Sequence, residues 1–271
     1  GTHNGAFTAF AFEITDALTD GANRLEVAVD NHVQTNAPPV NADFTMYGGL
    51  YRGVELIETD PVCIDLVTDG ASGVVIHADA SSGRVKVDVS LLGSDEAEFS
   101  CRVTGPGFDR VFDGLEFTVP NPHLWSPETP SLYTLEVTAR VDGSTDTVAE
   151  RFGFRTVEFK TDGFYLNGRR RFVRGVNHNQ DKLGQGWALS AKDHREDLET
   201  IRALGADGIR TTVYPHAQLV YDLCDELGLL AWIETPNVNG LRFTPLATPM
   251  LSATSFTFTP VFNNGLRSEE R

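Results

Sequence analysis

The stretch from Ser190 to Pro236 reads SAKDHREDLETIRALGADGIRTTVYPHAQLVYDLCDELGLLAWIETP. Its first part predicts a helix that begins at an N-cap, Ser190, with Asp193 three residues on, and that ends just before Gly205. The apolar residues expected on the inner face of this helix are Leu198, Ile201 and Leu204. A serine cap, a 3.6-residue apolar period and a terminal glycine together predict an amphipathic helix.

The same stretch continues as a strand, a second helix and another strand. ADGIRTTVY predicts a short strand, HAQLVYDLCDELG a helix that ends at Gly228, and LLAWIETP a further strand. The residues expected to face inward from this helix are Leu219, Val220, Leu223, Cys224 and Leu227. With the strand before Ser190, this is a βαβ series with a parallel sheet, which opens either a (β/α)₈ TIM barrel or a doubly wound fold.

Before this series, residues 62–158 show short alternating runs about ten residues apart. The runs are SGVVIHADA, GRVKVDVSLL, AEFSCRVTG, LEFTVP, SLYTLEVTARV and DTVAERFGFRTVEF, with Gly, Asp and Ser turns between them. This spacing predicts an immunoglobulin-like β-sandwich. The Cys, Trp, Cys spacing of antibody domains is missing, so the prediction concerns the architecture alone.

Residues 1–61 also alternate with a period of two. AFTAFAFEIT, RLEVAVDN and LYRGVELIETD each predict a strand. We interpret this region as the end of an all-β domain whose beginning is absent.

Composition limits the classes of partner. A chain of 271 residues predicts two or three domains, and its net charge of −16 argues against nucleic acid. No apolar run approaches the roughly 18 residues that cross a bilayer, so no membrane partner is expected. Cys63, Cys101 and Cys224 are far apart and without a close His, which predicts buried free thiols in a reducing, cytoplasmic compartment.

Candidate site residues follow the strands of the β/α region. In a barrel the carboxyl ends of the strands converge, which brings together Asn177 to Asp181, Arg210 to Tyr214 and Glu234 to Asn239. A sugar needs several hydrogen-bonding groups and a flat apolar face, for which Trp187 or Trp232 could serve. The sequence therefore favours a saccharide site.

Each of these residues also has a structural interpretation. Arg210 could be an ion-pair partner whose carboxylate itself belongs to the site, and His178 has a structural as well as a functional interpretation. Glu234 follows an apolar strand, which favours a place in the barrel mouth. The sequence has no Gly-rich phosphate loop, no G-x-S-x-G elbow and no H-E-x-x-H, so nucleotide-binding, serine-hydrolase and zinc-protease functions have no supporting motif.

Three stretches resemble glycoside hydrolase family 2, in the domain order of that family. They are NADFTMYGGLYRGVELI, NPHLWSPETPSLYTLEV and FYLNGRRRFVRGVNHNQD, and the first is most similar to the β-galactosidases. The resemblance implies the C-terminal part of a jelly-roll sugar-binding domain at 1–61, an immunoglobulin-like sandwich at 62–158 and the N-terminal part of a TIM-barrel catalytic domain at 159–271.

The resemblance implies retaining hydrolysis of terminal β-galactosides, with two glutamates about 5 Å apart. Neither glutamate is expected within the chain, so the chain alone is predicted to be inactive. The expected partner is a β-glycoside, and the full-length parent is expected to form a homo-oligomer. TPNVNG after Glu234 lacks the Glu and His of the magnesium-dependent members, so no metal and no cofactor are predicted. The alternatives are a β-glucuronidase, a β-mannosidase or a non-catalytic carbohydrate-binding or scaffold protein.

The resemblance also assigns substrate-binding residues. Asp43 matches an acidic residue on the jelly-roll loop that reaches the sugar, and Asp181 matches part of the polar wall of the pocket. Arg210 matches an arginine that binds the nucleophile, and Glu234 matches a strand-three acidic residue. Asn179 stands where the family usually has a histidine of the strand-one loop.

Two histidines of the family pattern are replaced. Besides Asn179, with His178 one place early, Val213 occupies the place of the histidine in the H-Y-P sequence. A valine cannot donate a hydrogen bond to a sugar hydroxyl. We therefore expect the parent to prefer another glycoside or to hold galactose differently.

Overall fold

The computed structural model describes residues 1–32 and 44–236, together with the backbone of 256–257. Along these residues, a sandwich of antiparallel strands is followed by strands that alternate with helices. This succession confirms the predicted sandwich and the predicted β/α part of the fold class. The three domain boundaries drawn from the sequence stay predictions.

The prediction of strands within residues 1–61 is wrong. In the described part of this region, the regular structure consists of one 3-10 helix, Thr15–Ala17. Phe10, Leu25 and Val27, which belong to the alternating runs, are about half exposed or more. Alternation marks a segment that could bury one face, but a strand also needs a neighbouring backbone to bond, and no described residue supplies one.

The sandwich contains the strands predicted for it and two that were not predicted, Cys63–Ile64 and Phe108–Asp113. Its strands are β1 Cys63–Ile64, β2 Val74–Ala78, β3 Arg84–Val89, β4 Leu91–Leu92, β5 Glu98–Gly105, β6 Phe108–Asp113, β7 Glu116–Thr118, β8 Tyr133–Val141 and β9 Ser144–Phe152. They form sheets in the orders β6-β5-β8-β9 and β2-β3-β7, with β1 paired to β4, and a 3-10 turn at Thr68–Gly70. We did not predict β6, because Asp109 and Arg110 interrupt its alternation.

The core of the sandwich lies between its sheets. Along β8 every second residue is buried, from Tyr133 to Ala139, and these residues contact Val85 and Val87 of β3 in one cluster. Alternate burial of this kind is what the period-two sequence predicts. Packing of two such faces removes the apolar side chains of both sheets from water.

A buried tryptophan joins the sandwich to the β/α region. Trp125 is fully buried, and its indole N–H donates to the carbonyl oxygen of Asp225 at 2.8 Å. The guanidinium of Arg155 lies over the ring, 4.6 Å from its centroid. Close by, Gly228 has φ +71°, and a Cβ there would come within 2.4 Å of the carbonyl oxygen of Pro127. The LWSP segment is therefore an interface between the two parts of the chain.

A small antiparallel sheet connects the sandwich with the first parallel strand. Its strands are β10 Val157–Lys160, β11 Gly163–Leu166 and β12 Arg169–Arg171. Leu166 pairs with Arg169, which leaves Asn167 and Gly168 as a two-residue turn, both with positive φ. An Asn-Gly pair is the usual sequence of such a turn.

The β/α region has the predicted parallel sheet. Its elements are β13 Gly175–His178, α1 Ala191–Ala203, β14 Gly208–Thr211, α2 Gln218–Leu227 and β15 Leu230–Glu234, and β16 Phe256–Thr257 pairs antiparallel to β15. β13, β14 and β15 run parallel. Leu198 of α1 and Val220 of α2 pack against Ile209 of β14, so both helices cover the same face of the sheet.

The helix ends follow the sequence signals. The Ser190 hydroxyl accepts the N–H of Asp193, whose side chain in turn accepts the N–H of Ser190, which is a capping box. Gly228 ends α2 in the left-handed conformation. One detail of the prediction is wrong: Leu204 is 76% exposed, because it is the C-cap residue of α1 and has turned away from the inner face.

All three cysteines are buried and free, as predicted. Within the described residues, no helix is both long and apolar enough to span a membrane.

Candidate sugar-binding site

The inner face of the parallel sheet carries an ion pair between a partly exposed arginine and a buried glutamate. Arg210 stands opposite Asn177 and Trp232 in the register, so these side chains share the face turned away from the helices. Arg210 binds Glu234 with two bonds, Nε to Oε1 and Nη2 to Oε2, both 2.8 Å long. Its Nη1 donates to the Asn177 side-chain oxygen at 3.3 Å. The Glu234 side chain is 5% exposed, so Arg210 neutralises a carboxylate that water hardly reaches.

Beside the strand ends lies a cavity of about 120 Å³. Its lining consists of Phe44, Thr45, Asn179, Asp181, Trp187 and Tyr214. Asn179 and Asp181 are exposed at its rim, whereas Trp187 and Tyr214 are buried. A cavity with aromatic walls and hydrogen-bonding groups at the rim has the chemistry that a sugar ring requires.

Three separate segments build this cavity. Asn179 and Asp181 directly follow β13, and Trp187 closes the turn in which Lys182 and Gly186 exchange backbone hydrogen bonds. Tyr214 follows β14. Phe44 comes from the N-terminal region, more than 130 residues away. The site thus depends on contact between residues 1–61 and the β/α region.

Stacked aromatic rings hold the wall of the cavity. The rings of Trp187 and Tyr214 are 5.0 Å apart between centroids, and Phe7 contacts both: it stacks on Tyr214 at 4.7 Å and meets Trp187 edge-on at 5.6 Å. Phe44 completes the cluster, 5.3 Å from Tyr214. Burial raises the pKa of Tyr214 to about 12, so its hydroxyl stays neutral and can donate a hydrogen bond.

The structure brings together part of the predicted site. Asn179 and Asp181 line the cavity, and Trp187 supplies the aromatic surface. Arg210 and Glu234 pair with each other and are not among the residues that line it. Asp43 lies outside the described residues. Sequence reasoning missed Phe44 and Thr45, although Phe44 follows Asp43 directly and the match at Asp43 could have pointed to it.

Three histidines form a buried group behind the cavity. Nδ1 of His178 is 3.2 Å from Nδ1 of His216, and His194 of α1 is buried as well. Burial is the largest cause that lowers the pKa of each, and the nearby Arg52 adds to it for His194 and His216. Asp197 acts in the opposite direction on His178 and His194. At neutral pH the three rings are uncharged parts of the core, which supports the structural interpretation of His178.

These histidines predict that the fold weakens in mild acid. Unfolded histidines bind protons below about pH 6.5, whereas buried ones with lowered pKa do not, so stability is present above that pH and is lost below it. A fully buried residue such as His216 contributes up to about 1.4 kcal/mol per pH unit. We expect the urea concentration at the midpoint of unfolding to decrease when the pH is lowered from 7 to 5.5.

The matched variants are His216→Phe and His77→Gln, the latter at an exposed residue of the sandwich. Of these two residues, His216 is buried and His77 is exposed, so His216→Phe should reduce the difference between the midpoints at the two pH values, and His77→Gln should leave it unchanged. An undiminished difference in His216→Phe would contradict this assignment.

The described residues hold no group of three His, Cys, Asp or Glu side chains that could bind a metal ion. The prediction that the site works without metal or cofactor stays a prediction.

Family profiles match both parts of the chain. The profile described as "Glycosyl hydrolases family 2" matches residues 75–155, and "Glycosyl hydrolases family 2, TIM barrel domain" matches residues 157–254. A β-sandwich followed by the first strands and helices of a β/α barrel is the domain order that these two profiles describe. The chain belongs to glycoside hydrolase family 2.

The relatives carry two different names. A putative β-glucuronidase of Formosa agariphila is 34% identical over 89% of this chain and 31% of its own length. A β-galactosidase of Thermoanaerobacterium thermosulfurigenes is 31% identical over 87% of this chain and 36% of its own length. The solved structure of a putative β-galactosidase from Bacteroides fragilis matches with a TM-score of 0.71 and 31% identity, over 84% of this chain and 38% of that one. The chain thus spans about a third of the length of these relatives.

Proposed function

We propose that this chain forms part of the sugar pocket of a retaining glycosidase that acts on terminal β-galactosides. The observation that carries the proposal is the cavity at the strand ends, where Asn179 and Asp181 face the aromatic wall of Trp187 and Tyr214. The names of the relatives support hydrolysis of a β-glycoside.

The cavity can bind a sugar through two complementary sets of groups. Asp181 offers acceptor oxygens to sugar hydroxyls, and the Asn179 amide both donates and accepts. The rings of Trp187 and Tyr214 offer an apolar surface to the C–H face of the sugar. Since the polar groups stand at the rim and the rings lie deeper, the sugar would enter with its apolar face against Trp187.

Retaining hydrolysis needs two carboxyl groups about 5 Å apart, one as nucleophile and one as acid and base. Asp181 is the one carboxylate among the described residues that line the cavity. Both oxygens of Glu234 are bound to Arg210, which suits a supporting role better than attack on the sugar. Within this proposal the chain binds and orients the sugar.

Arg210 has the capacity to hold a further carboxylate. Within the described residues, three of its five N–H groups are used, on Glu234 and Asn177. The side chain is 39% exposed, so its two remaining N–H groups can be reached from the inner face of the sheet. This is what the proposed contact between Arg210 and a nucleophilic glutamate requires.

A β-glucuronidase is the second candidate, favoured by the name of the Formosa relative. A glucuronide carries a carboxylate, however, and the charged residue that lines the cavity is Asp181, in a chain of net charge −16. Like charges repel in the partly desolvated mouth of a cavity. The described residues therefore favour a neutral sugar.

The proposal predicts that Asp181→Ala weakens binding of methyl β-D-galactopyranoside about 10- to 100-fold. A hydrogen bond to a charged group contributes about 1.5 to 3 kcal/mol, and about 1.4 kcal/mol is a factor of ten in affinity, so a loss of this size is expected. Isothermal titration of the chain measures the affinity. Asp113→Ala, at an exposed residue of the sandwich, is the matched control and should bind as the wild type does.

Titration with methyl β-D-glucuronide separates the two candidates. The galactoside proposal expects the weaker affinity for the glucuronide, and an improvement of that affinity at high salt as the repulsion is screened. Tighter binding of the glucuronide than of the galactoside would contradict the galactoside proposal and support the β-glucuronidase candidate. Equal affinity of Asp181→Ala and wild type for both sugars would contradict a role for this cavity.

A further inference from the structure

Arg52 joins the two sides of the aromatic stack that forms the cavity wall. Its Nη2 donates to the carbonyl oxygen of Pro215 at 2.7 Å, and its Nη1 donates to the carbonyl oxygen of Phe7. Phe7 stacks on Tyr214, the residue before Pro215. One guanidinium thus bonds the backbone on both sides of the Phe7 and Tyr214 ring pair, across 163 residues of sequence.

The position of Arg52 is unusual for a cation. Burial lowers its pKa, and the groups that oppose this shift are tyrosine hydroxyls, of Tyr51, Tyr221 and Tyr214. Among the described residues, no carboxylate forms an ion pair with it, and its buried Nε has no hydrogen-bond partner there. Partial burial of a charge that is held by two carbonyls is costly, which argues that those two contacts matter.

Two backbone N–H groups of the turn that Arg52 binds form further hydrogen bonds, and the ring of His216 also contacts that of His178. The N–H of His216 donates to the hydroxyl of Tyr221 at 2.9 Å, and the N–H of Ala217 donates to the side-chain oxygen of Gln180 at 2.5 Å. Both supports come from the β/α region. Arg52 supplies the contact from the N-terminal region, at the residue next to Tyr214.

We infer that Arg52 is a positioning residue that fixes the Tyr214 ring against Trp187 and thereby sets the width of the sugar cavity. The planar guanidinium can reach two carbonyls at once, whereas a lysine ammonium at the same place can satisfy one of them well. This inference rests on the proposed function for its consequence on sugar binding. The clamp on the turn itself does not depend on that function.

The test compares Arg52→Gln and Arg52→Lys with Arg110→Gln, an exposed arginine of the sandwich. Hydrogen exchange of the His216 and Ala217 amides reports the clamp, and exchange in β8 shows whether each variant is folded. In Arg52→Gln we expect the two turn amides to exchange at least about tenfold faster while β8 is unchanged, because a turn held at fewer points opens more often. The exchange rate of the turn amides in Arg52→Lys should lie between those of Arg52→Gln and the wild type, and the rate in Arg110→Gln should match the wild type.

Titration with methyl β-D-galactopyranoside measures the affinity of the cavity for the sugar. Arg52→Gln should bind about tenfold more weakly, with partial recovery in Arg52→Lys, whereas a change in stability alone would leave the affinity of the folded protein unchanged. Unchanged exchange of the turn amides would overturn the inference, and so would faster exchange with unaltered affinity.

If the wild type binds neither the galactoside nor the glucuronide, the proposed function fails, and the exchange measurement still decides whether Arg52 holds the turn. If Arg52→Gln does not fold, the same comparison is made with Arg52→Lys.

Discussion

Replacement of Arg210 by Met is expected to lower the free energy of unfolding of the β/α region by about 3 kcal/mol. The reason is Glu234, whose side chain is 5% exposed and has both oxygens bound to Arg210. Removal of one partner leaves a buried carboxylate without compensation, which costs more than the net contribution of the pair. Urea unfolding followed by tryptophan fluorescence measures the effect through Trp187 and Trp232.

The double variant Arg210→Met, Glu234→Met is the control for this prediction. An apolar pair of similar volume restores the balance of charge, so the double variant should be more stable than Arg210→Met alone. If the double variant were less stable by the sum of the two single effects, the two side chains would act independently and our account of the pair would be wrong.

Replacement of Trp125 by Ala is expected to destabilise the chain by about 3 to 5 kcal/mol, the usual cost of deleting a fully buried tryptophan. The loss falls on the contact between the sandwich and the β/α region, because the indole bonds the carbonyl oxygen of Asp225 and lies under Arg155. We therefore expect the two parts to unfold in separate transitions in this variant. Circular dichroism at 222 nm follows the helices, and hydrogen exchange of the β8 amides follows the sandwich, so together they measure the two transitions.

Trp125→Phe separates packing from the hydrogen bond. It keeps most of the buried ring surface and loses the bond to Asp225, so a cost of about 1 to 2 kcal/mol is expected. A loss in Trp125→Ala no larger than in Trp125→Phe would show that the ring contributes little beyond its hydrogen bond, against our account of this interface.

Local signals in the sequence were sufficient for the β/α region. Ser190, Asp193 and Gly228 are groups whose role is fulfilled within a few residues, so a cap or a left-handed turn can be predicted without the rest of the fold. Leu204 shows the limit, since it keeps the apolar period but falls at the last position of the helix, where the chain turns away.

The N-terminal region shows why alternation alone is insufficient. Its runs have the strand period, yet Phe10 and Val27 remain exposed, and no described backbone pairs with them. A strand is completed by a partner that its own sequence does not specify. The sandwich strands, by contrast, have neighbours close in sequence, as β8 and β9 do, so their period predicted them correctly.

In the candidate site, too, some residues could be predicted from local sequence and others depend on contacts between distant segments. Asn179 and Asp181 could be predicted because the ends of parallel strands converge whatever the details of the loops. Phe44 and Arg52 could not, because their place beside Tyr214 depends on packing between segments some 160 residues apart. The pairing of Arg210 with Glu234 was anticipated only in general terms, as an arginine whose partner would be a site carboxylate.

The most direct test is a titration of the ¹⁵N-labelled chain with methyl β-D-galactopyranoside, followed by nuclear magnetic resonance. Our account predicts saturable shifts at the Asn179 side-chain amide, the Trp187 indole N–H and the backbone of Asp181 and Tyr214, with the sandwich strands unaffected. Absence of shifts with both the galactoside and the glucuronide, or saturable shifts confined to residues outside the cavity, would contradict the claim that this cavity binds the sugar.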